Sequence, residues 1–250
     1  MNPNLNHQLE VRFDSTGQHA TSFDFHLRLI SRFLRSVARF DPLLEERQWL
    51  IATGDRETSH LYPVFDADGP TTAALAVLHQ YAKASEVVRN LTLWNGQEDR
   101  AKGASISCQF GRQDGVASSF RLSIRSPRGR MRLGEWRQVA EAIAFAATIF
   151  EPLYASVATM YYDAVFKDRA GVGWMLYLPR MLSVQQVPEA HALVPVMIKD
   201  EQEKDKQIGT IVVSVTDAPF SDDDPGHVEK AHAIEVRLVD QDLLPRFVDL

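Results

Sequence analysis

Cysteine is almost missing from this chain of 250 residues: there is only Cys108, so no intramolecular disulfide can form. Its setting, Ile106-Ser-Cys-Gln-Phe110, alternates like a strand. Nothing there, neither a helix N-terminus nor a cationic neighbour, would lower a thiol pKa. An inert thiol without a disulfide fits a reducing compartment. The first residues, Met-Asn-Pro-Asn-Leu-Asn-His-Gln, lack the basic and apolar regions of a secretory leader. Long apolar runs are missing as well. The most apolar stretch, 140–166, is broken by Glu141, Glu151, Pro152 and Asp163, well short of the roughly 20 residues that span a bilayer. The expectation is a cytoplasmic chain that does not enter a membrane.

Catalytic motifs are also lacking. There is no His-Glu-x-x-His, and His227-x-Glu229 has no Pro-Cys-x-x-Cys to complete a deaminase pattern. His227 and His232 are five apart, off the shared helix face that paired ligands need. No Gly-x-Ser-x-Gly elbow and no phosphate-cradling glycine loop occurs. Gly171-Val-Gly173 leads into an aromatic strand rather than a helix, so it cannot aim helix N–H groups at a pyrophosphate. A metal-dependent nuclease commonly carries an acid-x-Lys pair on a strand, and no Glu-x-Lys occurs in the chain. No cofactor or metal is expected.

Two acidic features survive this elimination. Asp222-Asp-Asp224 concentrates carboxylates that could attract a divalent cation, but it stands where an acidic helix start is expected, so capping or partner contact is the preferred reading. Glu235 falls on the inward stripe of the last helix beside Ala231, Ile234 and Leu238, where a carboxylate must be hydrogen-bonded or paired. A satisfied structural carboxylate is preferred there, with an enzymatic Glu235–His232 pair as the competitor.

What is present in excess is negative charge, unevenly spread. Residues 1–139 carry 18 Lys/Arg against 15 Asp/Glu, whereas residues 140–250 carry 9 against 18. Residues 200–250 alone hold 5 bases and 13 acids. Such asymmetry bears on partners and steering rather than on fold. It disfavours nucleic acid and favours a basic protein partner at that end. Cationic stripes compete with it: Arg28, Arg32, Arg35 and Arg39 on one helix face, and Arg125, Arg128, Arg130 and Arg132 near a turn. A solvated back face accounts for the first, and no aromatic is interleaved with the second for base stacking.

Periodicity supplies the architecture. Leu9–Phe13 alternates as a strand, and residues 23–40 form an amphipathic helix with Leu29, Ile30, Phe33, Leu34 and Val37 inward, capped by Ser22 or Thr21. Residues 48–52 read as a strand, and Pro70 is expected to open a helix through about Ala82 after the turn Asp66–Gly69. Ala104–Phe110 and Ser119–Ser126 read as an antiparallel hairpin whose loop holds Asp114-Gly115. A helix from Trp136 is expected to kink at Pro152 and run on to Phe166. Gly171–Pro179 reads as an aromatic strand, 180–206 as irregular, Ile208–Val215 as a β-branched strand, and Asp224-Pro225 as the start of a final helix. The expected class is α+β, mainly antiparallel sheet with four or five packed helices. One domain over 1–250 is expected, with 111–118 the one place where two intimate lobes would divide.

Trp174, Met175 and Tyr177 crowd the aromatic strand. One face must be core; the other is either core or the centre of an interface, where aromatics and Met are enriched.

The Gly-Trp-Met strand, Gly209-Thr-Ile-Val-Val-Ser214, Phe220, Pro225-x-His227-Val228, Ala233-Ile-Glu-Val-Arg-Leu238 and Asp242-Leu-Leu-Pro245 together resemble the immunity protein 52 family. The resemblance covers about Phe23 to Pro245 and is clearest in the C-terminal half. It implies an α+β protein made in a toxin producer's cytoplasm. There it would bind a cognate nuclease toxin, notably a type VI secretion effector, and block self-intoxication. A nuclease is basic around its substrate groove. The expected contacts are therefore Asp200, Glu201, Glu203, Asp222, Asp223 and Asp224, with Trp174 or Tyr177 as a central anchor. A secretion adaptor and an enzyme of unrecognised type remain the alternatives, and the oligomeric state stays open.

Overall fold

Buried and part-exposed residues alternate from Leu5 to Phe13, which makes β1 (Asn4–Phe13) a strand with one dry face. A computed structural model describes residues 4–15, 19–84, 88–111, 117–127 and 129–250, and sets this strand in the middle of a nine-stranded sheet. After it come α1 (Phe23–Val37), β2 (Leu50–Ile51), α2 (Arg56–His60), β3 (Phe65–Asp66), β4 (Gly69–Pro70) and α3 (Thr72–Tyr81). Then follow β5 (Val88–Trp94), β6 (Ala104–Gly111), β7 (Ser118–Pro127), α4 (Trp136–Phe150), β8 (Tyr154–Thr159) and β9 (Met175–Leu178). The chain ends with β10 (Ala192–Lys199), β11 (Asp205–Val213) and α5 (Pro225–Asp240). The sheet order is β10-β11-β9-β8-β1-β7-β6-β5-β2, with each neighbouring pair antiparallel, and β3 and β4 make a separate small hairpin. The fold is α+β with a mainly antiparallel sheet and five α-helices among the described residues.

Two helices cover one face of the sheet. In α1 the side chains of Leu27, Ile30, Phe33, Leu34 and Val37 are all fully buried, while Arg28, Arg32, Arg35 and Arg39 lie outside. At about 1.5–3 kcal/mol for each buried apolar side chain, tertiary packing rather than helix propensity holds α1. Ser22 caps it by accepting a hydrogen bond from the Phe25 amide at 3.2 Å. Asp24, Glu46 and Glu141 pair with Arg28, Arg35 and Arg39, so the arginine stripe is largely spent in surface ion pairs. The apolar stripe of α4 (Val139, Ala140, Ile143, Ala147 and Phe150) packs into the same core beside α1. On the opposite face α5 lies over β8, β9 and β11. Its Ile234 and Leu238 share a second core with Tyr154, Leu176, Leu178 and Val212.

Four expectations need correction. The α4 helix does not continue past Pro152. Glu151 takes the left-handed conformation (φ +46°), and Tyr154–Thr159 leaves as β8, pairing with β1 from Arg12↔Tyr154 to His7↔Thr159. Residues 180–206 are not wholly irregular, for Ala192–Lys199 pairs with β11. Pro195 is tolerated because β10 is a sheet edge, where a missing N–H breaks no ladder. Pro70 does not open a helix: it pairs with Phe65, and Thr71 caps α3 by accepting from the Ala74 amide at 3.1 Å. Residues 48–52 give only a two-residue strand, because Gln48 ends a 3₁₀ turn. The hairpin of β6 and β7 forms in the register Ala104↔Ile124 to Gln109↔Ser119. Its Asp114-Gly115 turn, the lobe boundary suggested near 111–118 and Arg128 fall on or across 112–116 and 128, outside the described residues.

The core contains a histidine with a measurable consequence. His26 of α1 is 1% exposed and stacks on Phe110 of β6, ring centroids 3.8 Å apart. Burial pushes its pKa down from 6.5 to about 4, against the smaller opposing effect of the Ala20 carbonyl. Below pH 6.5 the unfolded chain therefore binds more protons than the folded one. Stability is complete above about pH 6.5 and falls as the pH drops toward 4. The expected loss from this group is about 2 kcal/mol at pH 5. Urea midpoints at pH 7 and pH 5 should show it, and His26→Leu should shrink the difference. Equal slopes in the two proteins would contradict this account.

Candidate partner-binding surfaces

The acidic residues near the C-terminus do not form one surface. Asp200, Glu201 and Glu203 occupy the tight turn between β10 and β11. There the Asp200 carboxylate accepts hydrogen bonds from the Gln202 and Lys204 amides at 2.8 and 2.9 Å. Glu201 and Glu203 are exposed, the latter at φ +60°. Asp222, Asp223 and Asp224 lie beyond the other end of β11. Asp224 caps α5, accepting from the Gly226 amide at 2.9 Å, as the sequence predicts. At roughly 3.3 Å per residue β11 spans about 25 Å, and it lies between the two clusters along the chain. Asp200 and Asp224 are committed to local backbone.

Trp174 and Tyr177 are core on every side. They are 0% and 2% exposed. Trp174 donates through Nε1 to the Val215 carbonyl at 2.9 Å, and the Tyr177 hydroxyl donates to the Ile208 carbonyl at 3.2 Å. Gly173 takes a left-handed backbone (φ +51°) just before β9, which resets the alternation. Trp174 thereby joins Met175 and Tyr177 in the main core, while Leu176 and Leu178 face α5. Neither aromatic presents a face to a partner, which corrects their expected role as anchors.

The groups weighed as catalytic each make structural contacts. Glu235 is 1% exposed and accepts three hydrogen bonds: from the Tyr162 hydroxyl at 2.6 Å, the Val165 amide at 2.8 Å and the Val172 amide at 2.8 Å. It staples the segment 162–172 to α5. His232 holds the same segment through Nε2 and the Asp163 carbonyl, 2.9 Å apart. His227 accepts from the Ser221 amide through Nδ1 at 3.1 Å. Cys108 is fully enclosed, and burial pushes its thiol pKa far up, which leaves it inert. Arg132 makes a buried ion pair with Asp41, its Nε 2.8 Å from Oδ2. Among the described residues no three His, Cys, Asp or Glu side chains are grouped to hold a metal ion, and no helix is long and apolar enough to cross a membrane.

A further surface is not evident from patterning alone. Because α5 covers only the β8–β9–β11 part of its sheet face, the same face of β1, β7 and β6 carries no helix among the described residues, and the short α2 packs only at the Trp94 end of β5. Asn6, Gln8, Glu10 and Arg12 of β1 stand there beside Ser119, Arg121, Ser123 and Arg125 of β7 and Ser105, Ser107 and Gln109 of β6. Glu10 sits between Arg12 and Arg121, 2.8 and 3.0 Å away. Burial alone would raise its pKa, but the two arginines outweigh burial and hold the carboxyl below its ordinary value. At one end the face deepens into an open groove of about 640 Å³, walled by α2, the segment 97–103 and Met160. The alternating polar residues of β1, β6 and β7 are visible in the sequence. Which part of that face stays bare depends on where α5 docks.

Comparisons with known proteins come to bear on these surfaces. No curated protein matches the chain. A solved Pseudomonas aeruginosa T6SS protein shares 13% identity, the match covering 93% of this chain and 76% of that one at a TM-score of 0.49, a distant likeness of shape. The model of immunity protein 52 matches residues 21–246, nearly the whole described fold. The chain therefore belongs to the immunity protein 52 family.

Proposed function

We propose that this chain is the immunity protein to a nuclease toxin of a type VI secretion or related polymorphic toxin system, and that it neutralises the toxin by stoichiometric binding in the producer's cytoplasm. The observation that carries this reading is the family match over 21–246. An immunity family implies a protein toxin as partner and a role without turnover. The satisfied state of Glu235 and the enclosure of Cys108 agree with that role, since each has a structural task.

The nuclease as target is supported by charge. A nuclease must present cationic surface to its substrate, and residues 200–250 of this chain hold 13 acids against 5 bases. Two clusters at opposite ends of β11 along the chain act best at long range, drawing a basic partner in before contact. Reversing Glu201 and Glu203 in one variant, and Asp222 and Asp223 in another, should each slow association with the toxin roughly tenfold at low salt. The difference should fade at high salt, with little change in dissociation. Stopped-flow rates over a salt series measure this. Association rates that match the unaltered protein at every salt would refute the steering role. Growth of cells expressing the toxin tests the class itself: an adaptor would bind its client without protecting the cell.

A further inference from the structure

We propose that the polar sheet face left bare by α5, centred on the groove beside β5, β6 and β7, seats the toxin and takes an acidic, carboxylate-bearing segment of it. This rests on the immunity reading above. A solvated face is ordinary for an antiparallel sheet, so bareness alone is no argument. Shape, side-chain chemistry and charge make this one different.

The face is concave at its end rather than flat. Its groove of about 640 Å³ is built from segments far apart in sequence, with Ser105 and Ser123 as floor, α2 on one wall and Met160 at the end of β8 on another. That volume lies within the roughly 300–1,000 Å³ of ligand pockets. Trp94 lines it and Met160 stands half exposed at its rim, next to Tyr161, which is 79% exposed. Trp, Tyr, Met and Arg are the residue types that concentrate at the energetic centres of interfaces.

Charge selects the occupant. Arg56, Arg100 and Arg125 line the groove, and none of their guanidinium groups has an ion-pair partner among the described residues. By contrast, Arg12 and Arg121 on the same face are both held by Glu10. Of the two acids in the groove wall, Asp55 is committed to capping α2, accepting from the Thr58 amide at 2.8 Å and from its hydroxyl at 2.5 Å. Glu98 is the other. On a chain of net charge −6 this is a local cationic site. Unpaired guanidinium forks converging on one cavity are suited to bidentate capture of carboxylates. Nucleic acid is the poorer fit, because three arginines in one short groove match a compact carboxylate cluster rather than the extended charge of a phosphate backbone. The acidic clusters and the groove then divide the work. The clusters govern encounter, and the groove governs register and residence.

The test uses the full chain and the cognate toxin domain, treated to remove nucleic acid. Arg100→Glu with Arg125→Glu should raise Kd about 100-fold, mostly through faster dissociation. The circular dichroism and Tm should stay those of the unaltered protein, since both side chains are exposed. Arg100→Lys with Arg125→Lys should recover only part of the affinity, because charge remains but the fork is lost. Arg32→Glu, on the far face of α1, should change Kd less than about twofold. If the unaltered protein binds the toxin and the groove reversal leaves Kd unchanged, the docking surface lies elsewhere and this inference is overturned. It is equally overturned if the groove arginines matter only while nucleic acid is present. If the unaltered protein does not bind the toxin, it is the immunity reading for this pair that fails.

Discussion

Replacing Glu235 with alanine is expected to destabilise the chain by about 3–5 kcal/mol. The carboxylate is buried in the second core and carries the Tyr162 hydroxyl and the Val165 and Val172 amides. Removing it leaves the buried Val172 amide without an acceptor, at about 1–3 kcal/mol, and strips the same partner from the part-buried Tyr162 hydroxyl and Val165 amide. It also frees segment 162–172 from α5. Glu235→Gln should cost less, about 2 kcal/mol, because one oxygen remains while the amide NH₂ meets a backbone donor. Tyr162→Phe should cost about 1 kcal/mol. Urea denaturation of the three variants gives the order. A Glu235→Ala loss under about 1 kcal/mol would mean that the staple contributes little. The same series separates structure from chemistry: Glu235→Gln, once shown to be folded, should keep its toxin affinity and its protection of the cell.

Gly173→Ala is the second large effect, expected at about 3 kcal/mol or more. Gly173 has φ +51°, a conformation costly for any residue with a Cβ. An added Cβ would stand 2.5 Å from the Ala158 Cβ and 3.0 Å from the Val157 carbonyl oxygen. Neither neighbour can retreat easily, because Val157 is fixed in β8 and accepts the Trp174 amide at 2.8 Å. The substitution must therefore push Trp174 out of register, along with the Ser214 hydroxyl that donates to the Gly173 carbonyl at 2.7 Å. The expected signature is a lower Tm together with a red-shifted tryptophan emission. A variant with the original Tm would show that this turn is softer than its contacts imply.

Local patterns carried much of the fold. The 3.6-residue period of α1 and the Ser22 cap sit within one stretch of chain, and so does the Asp224-Pro225 start of α5. The β6–β7 hairpin could be read from alternation alone. Three features could not. Tyr154–Thr159 is a short apolar run that suits helix or strand, and only its pairing with β1 decides. Pro195 looks like a breaker unless β10 is known to be an edge. Val88–Trp94 becomes recognisable as a strand once it has β6 beside it.

The binding surfaces follow the same logic. Asp200–Glu203 and Asp222–Asp224 are close in sequence, and β11 carries them apart. Trp174 and Tyr177 have the composition of an interface centre, but they fill the core because helices cover both sides of β9. The arginine groove draws on residues from Asn6 to Met160, a convergence that exists only after nine strands have paired.

The central claim is stoichiometric neutralisation, and one titration tests it most directly. The purified chain is added in steps to a fixed amount of its cognate toxin, and the remaining toxin activity is followed together with the mass of the complex. The account predicts a linear fall to zero at a fixed whole-number ratio, with every protecting chain recovered in complex with toxin. Complete protection by a small fraction of an equivalent, with no complex formed, would contradict it and would mark the chain as an enzyme.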